Sequence, residues 1–103
     1  APVNIRKIID YAAHSNIVVC WKSNMPDLVD GSSDAKFASL QKDIGLVHIT
    51  ELGNDYPWAR LFELLQRSAY AGYCLAEIPE SADAIRLMRY YRALWFALSG
   101  GLA

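Results

Sequence analysis

The stretch LVHITELGNDYPWARLFELLQRSAYAGYCLAEI, residues 46–78, decides how this chain folds. Leu46 to Thr50 is a short aliphatic and β-branched run set between Gly45 and a polar loop, Glu51 to Tyr56, which is the pattern of a strand. Pro57 then takes the first-turn position of a helix, where its missing N–H costs nothing. Trp58, Leu61, Phe62 and Leu65 recur at i, i+3, i+4 and i+7 and form one apolar stripe on that helix. Tyr70 to Gly72 turns the chain into a second apolar run, Tyr73 to Ile78, closed by Pro79. In that run Tyr73, Leu75 and Glu77 share one face by two-residue alternation. A strand, a helix and a second strand in this order predict a parallel pair joined by a right-handed crossover.

The same grammar extends in both directions. Ile5, Ile8, Ile9 and Ala12 form a helical stripe, predicting a helix from about Val3 to His14. Ile17 to Trp21 is apolar at every position, so a strand covered on both faces is expected there. Lys22 to Ser33 is a polar loop with Pro26 and Gly31, and its last serines can cap the next helix. Phe37, Leu40 and Ile44 continue at helical spacing, with Gly45 placed for the left-handed residue that ends a helix. Ser81 is set to cap the last helix, whose stripe Leu87, Tyr91, Leu94, Trp95 and Leu98 stops before Gly100 and Gly101. Strand starts fall roughly 25 to 30 residues apart, as parallel strands with helical crossovers require. The expected class is α/β: a single unit over residues 1–103, three parallel βα units preceded by a helix.

Composition narrows the function. The 103 residues are 53% hydrophobic and 20% charged, with a net charge of -1. That is too apolar for a disordered chain, and it offers no electrostatic footprint for a nucleic-acid backbone or an anionic membrane. Neither nucleic acid nor membrane is expected as a partner. Two cysteines, Cys20 and Cys74, are too few for a disulfide scaffold, and the N-terminal stretch APVNIRKIIDYAAH has neither the pattern of a secretion signal nor that of an anchor. A cytoplasmic protein is the expectation. Phosphate-binding glycine loops, HExxH and paired CxxC motifs are all absent from the sequence.

In parallel α/β sheets ligands bind at the carboxyl ends of strands, which directs attention to the segments after Trp21, Thr50 and Ile78. Lys22, Ser23 and Asn24 follow the first strand and can meet a polar or anionic ligand, although a lysine there more often reaches solvent. His48 stands inside an apolar strand, where histidine is more often a hydrogen-bonded core residue than a metal ligand. Glu77 ends an otherwise apolar strand and must be paired, metal-bound or solvated. Together His48 and Glu77 supply an imidazole nitrogen and a carboxylate oxygen suited to Zn2+ or Mn2+, with no third ligand evident from spacing. The aromatic group Tyr90, Tyr91, Trp95 and Phe96 recurs at helical spacing and reads as helix packing or an interface.

The segments LVHITEL, YPWARLFELLQRSAYAGYCLAEIPES and IRLMRYYRALW resemble the C-terminal portion of sugar phosphate isomerase/epimerase-like proteins of the xylose-isomerase-like TIM-barrel superfamily. The resemblance runs from about Asn16 onward. It implies a divalent metal, Mn, Zn or Mg, held by Glu, Asp, His and Glu from different strands, with carboxylates moving a proton beside a sugar carbonyl. By this resemblance His48 is the metal histidine, and Glu77 is both metal ligand and catalytic acid/base. Lys22, Asn24 and Trp58, on strand-end segments, are assigned to substrate contact with a small sugar or sugar phosphate. The sequence departs from the family after Trp21, where Lys22, Ser23 and Asn24 stand in place of the aspartate ligand.

A complete (β/α)8 barrel takes roughly 250 residues and eight strands, against three strands expected here. Three parallel strands leave two unpaired edges, so the chain is expected either to assemble with other copies or to be part of a longer protein. An incomplete barrel of this kind is expected to be inactive by itself. Two rival readings remain open at the level of sequence: a non-catalytic interaction or oligomerising unit, and a small doubly wound signalling domain. The second would need about five strands and an acidic cluster after the first.

Overall fold

The computed structural model describes residues 2–100. It is a mixed α/β structure around a three-stranded parallel sheet. Helix α1 (Pro2–Ala12) leads to strand β1 (Val19–Lys22), helix α2 (Asp34–Leu40), strand β2 (Ile44–Ile49), helix α3 (Trp58–Arg67), strand β3 (Cys74–Ala76) and helix α4 (Ala84–Ser99). Both strand pairings are parallel and the strands lie in the order β1-β2-β3, so β2 is central and the sheet has no reversal of strand order. A doubly wound sheet requires such a reversal at its ligand crevice, and the signalling-domain reading therefore loses its geometric basis.

All the packing that closes the core lies on one side of the sheet. Trp21, Val47 and Ile49 point into a cluster with Phe37 of α2, Trp58, Leu61, Phe62 and Leu65 of α3, and Tyr91 of α4. Trp21 meets Phe37 edge-on with ring centroids 5.6 Å apart, and Phe62 meets Trp95 in the same manner at 4.8 Å. The helical stripe read in residues 58–65 is thus the centre of the core. Within the aromatic group on α4, Tyr91 and Trp95 pack inward while Tyr90 and Phe96 remain exposed.

One-sided packing corrects the expectation for residues 17–21. Ile17 and Val18 are 45% and 54% exposed, and within β1 burial alternates, with Val19 and Trp21 buried and Cys20 exposed. Ile17 and Val18 precede the strand, and Cys20 and Lys22 on its second face are exposed, so the all-apolar run does not have two covered sides. Gly45 is a second correction. It lies within β2 and not at a left-handed helix end, because α2 stops at Leu40 and a single 3-10 turn, Gln41–Asp43, leads into the strand. Its lack of a side chain is needed for another reason: a Cβ there would stand 2.5 Å from Val18 Cγ2.

The last helix begins later than Ser81. Asp83 caps it by accepting from the Arg86 backbone N–H at 3.4 Å, while Ser81 Oγ accepts from the Asp83 N–H. Its other end is as the sequence predicts: Gly100 adopts φ 63° and donates its N–H to Phe96 O, the conformation glycine reaches without a Cβ penalty. Helix α1 lies beside α2 and is tied to it by Arg6, which bonds Asp43 Oδ2 at 2.6 Å and the Ser39 carbonyl at 3.1 Å. Among the described residues no helix is long and apolar enough to cross a membrane.

Candidate functional site

Because Trp21, Val47 and Ile49 face the helices, the alternate residues of the same strands face the uncovered side. Lys22, His48 and Leu75 are neighbours in register across the three strands, and Glu77 stands two residues beyond Leu75. The parallel ladder continues to that point, since the Glu77 N–H donates to Ile49 O at 2.7 Å. His48 Nδ1 and Glu77 Oε2 are 2.6 Å apart. The two residues singled out in the sequence therefore meet, at the carboxyl end of the sheet and on its open face.

This contact sets the electrostatics of the site. The hydrogen bond from His48, and after it the positive charge of Lys22, hold the Glu77 carboxyl below the usual carboxylate range. With Glu77 ionised, the bond requires a proton on His48 Nδ1, which in the neutral ring leaves Nε2 as a free lone pair. The pair thus offers one acceptor nitrogen, oriented by a carboxylate, next to a lysine.

The strand ends are fixed from behind by groups with no motif to announce them. Ser23, buried, donates its hydroxyl to the His48 carbonyl at 3.0 Å, and Tyr91 donates to the Thr50 carbonyl at 2.8 Å. Lys36 of α2, its side chain only 8% exposed, bonds Asp27 Oδ2 at 3.0 Å and the Lys22 carbonyl at 3.1 Å. Its ammonium also lies 4.3 Å from the centre of the Trp21 ring. The bond from Lys36 holds the Asp27 carboxyl below its ordinary value. These contacts join residues 9 to 41 positions apart and depend on the path of the loops, which periodicity does not report. The only hint in the sequence is the concentration of polar side chains between Lys22 and Lys36.

The other residues assigned to substrate contact are dispersed. Lys22 is exposed on the open face beside His48. Asn24 is exposed on the following loop, its amide 3.4 Å from Asp27 Oδ2. Trp58 is 2% exposed, packed in the core, and its indole N–H donates to Asn54 Oδ1 at 2.8 Å. That placement corrects the assignment of Trp58 to a strand-end surface, since its helical stripe takes it inward.

A divalent metal, the cofactor the resemblance implies, needs about three protein ligands and an open position. Among the described residues no group of three His, Cys, Asp or Glu side chains comes together. His48 and Glu77 direct their facing atoms at one another, and Lys22 adds positive charge to the same face. The donors that the described residues bring together, His48 and Glu77, fall short of a complete metal site. No family model matches the chain, and no curated protein or solved structure matches it at a significant level.

Proposed function

We propose that the open face of the sheet is part of an enzyme site for proton transfer beside the carbonyl of a small sugar or sugar phosphate, an isomerase or epimerase reaction. The chain would form the C-terminal part of a (β/α)8 barrel of the sugar phosphate isomerase/epimerase kind. The observation that supports this most is the 2.6 Å bond between His48 and Glu77 at the carboxyl end of adjacent parallel strands. Such ends are where this architecture does chemistry, and an imidazole oriented by a carboxylate is a general base suited to neutral pH. In this reading His48 Nε2 takes the proton from carbon and Glu77 positions the ring. Two unpaired cysteines are compatible with a cytoplasmic location.

Because an incomplete barrel is expected to be inactive by itself, the reading is tested on the assembled barrel of which this chain would be part, by exchange of the substrate's carbon-bound hydrogen for deuterium in D2O, which does not require complete turnover. A panel of aldoses, ketoses and their phosphates should include at least one that exchanges above the buffer rate, and His48→Gln should remove that exchange. A panel with no exchange, with and without added Mn2+, Zn2+ or Mg2+, overturns the proposal.

A second reading, an oligomerising unit, is favoured by a separate observation. The accessible surface is 6989 Å², against about 5,800 Å² for a compact monomer of this mass. The excess is of the size that one partner contributes to a stable interface. Among the described residues both sheet edges lack a partner strand, and an apolar hollow of about 360 Å³ opens beside β3 between Cys74, Ala76, Met88 and Trp95. A second copy of the chain is the occupant this reading names. Light scattering should then find at least a dimer, and a stable monomer at micromolar concentration would remove it.

A further inference from the structure

Proton abstraction beside a carbonyl places negative charge on the carbonyl oxygen, and some group must receive it. Among the described residues the open face has two metal-capable donors in contact, and they are bonded to each other. What it does hold is a cation. Lys22 ends β1 directly beside His48 in register, is exposed, and makes no salt bridge among the described residues. Its backbone is held in place by Lys36, which bonds the Lys22 carbonyl at 3.1 Å. Ser23, the next residue, ties the same segment to the carbonyl of His48. The ammonium is thus carried on a fixed strand end beside the acid/base pair, near enough to Glu77 for its charge to act on that carboxylate but in no direct ion pair with it among the described residues.

We propose that Lys22 is the electrophile of this site, so that the reaction runs without a divalent metal. This rests on the proton-transfer reading given above. His48 Nε2 takes the proton from the carbon next to the carbonyl. The C–H electron pair becomes the C=C bond of an enediolate, and the carbonyl π pair moves to oxygen. The Lys22 ammonium donates a hydrogen bond to that oxygen and offsets its charge. In isomerisation the proton of the neighbouring hydroxyl moves to the former carbonyl oxygen, and His48 returns its proton to the carbon that carried the carbonyl. Nothing is oxidised or reduced overall, and no co-reactant is consumed. The substrate class that fits is a 2-hydroxy aldehyde or ketone small enough to reach both Nε2 and the lysine tip.

The test is the deuterium-exchange assay on the sugar panel, run first in EDTA and then with each of Mn2+, Zn2+ and Mg2+ in excess. Exchange that persists in EDTA supports the inference. Lys22→Met should then lower the rate about 100- to 1,000-fold, the usual loss when one charge-stabilising donor is removed, while Lys22→Arg, which keeps the charge, should restore part of it. Circular dichroism of both variants should match the parent, because the side chain is exposed. Exchange that appears only with added metal, or that Lys22→Met leaves unchanged, overturns the role of Lys22 and leaves the proton-transfer reading standing. No exchange under any condition overturns both.

Discussion

The two faces of the sheet are built from alternate residues of the same three strands, and they have opposite characters. On the helix side, Trp21, Val47 and Ile49 are buried against α3 and α4. On the other side, Lys22, His48, Leu75 and Glu77 stand beside one another, with Lys22, Leu75 and Glu77 exposed. One face holds the fold together, and the other brings His48, Glu77 and Lys22 together. A two-residue period is enough to separate stability from reactivity. It also means that a change on the reactive face can be made without disturbing the core.

The largest effect should come from the covered side. Phe62 is buried against Trp58 and Trp95, so Phe62→Ala should cost about 3–5 kcal/mol in urea unfolding. Leu75, a similar apolar side chain, is 44% exposed on the open face, and Leu75→Ala should cost less than about 0.5 kcal/mol. A loss above about 2 kcal/mol for Leu75→Ala would show that something covers the open face in solution.

The Lys36–Asp27 pair sharpens the comparison, because it is the polar anchor on the covered side. Lys36→Met should destabilise by about 1–2 kcal/mol at pH 7, in line with a hydrogen bond between charged groups. Asp27 has its pKa lowered by Lys36. The stability it contributes is therefore fully present above the ordinary carboxylate value, and it is lost as pH falls through the depressed one. The difference between parent and variant should narrow in acid. A difference that is the same at pH 7 and pH 3 would assign the loss to packing alone.

A comparable effect is expected at the start of β2. Gly45→Ala would place a Cβ against Val18, and overpacking of this kind costs about 1–2 kcal/mol. Since Val18 is half exposed, part of the strain can be relieved by its movement, and the double change Gly45→Ala with Val18→Ala should recover most of the loss. No recovery would mean that the clash is not with this side chain.

Much of this architecture was legible as periodicity. The stripe Trp58, Leu61, Phe62, Leu65 and the run Leu46–Thr50 each depend on local burial, which a sequence records directly. His48 and Glu77 stood out because a polar group in an apolar strand needs a partner, and each turned out to be the other's. What periodicity cannot record is which face another element covers. Ile17 and Val18 are apolar yet exposed, since they precede the strand and lie outside the core. Trp58 belonged to a buried stripe and to a strand-end segment at once, and the stripe decided its place. Lys36 and Asp27 carry no pattern in the sequence, and Ser23 reads there as a ligand contact although it bonds the His48 carbonyl, because these contacts depend on how the loop after β1 folds back.

The two cysteines allow the faces to be compared within one molecule, at the smallest perturbation. Cys20 is exposed, pairs in register with Leu46, and lies between the two inward-facing residues Val19 and Trp21. Cys74 is half-buried beside the core, and burial pushes its thiol up to about 11. At pH 8 only about one Cys74 in a thousand would be a thiolate, the form that reacts. A thiol reagent should therefore label Cys20 quickly and Cys74 only after unfolding. Equal rates would mean that the helix side opens readily near β3 and that the hollow beside Met88 and Trp95 admits solvent. Protection of both thiols, reversed on dilution, would mean that the open face is covered by a second copy. The reactive face would then be exposed only in the separated chain, and the oligomerising reading would gain over the enzymatic one.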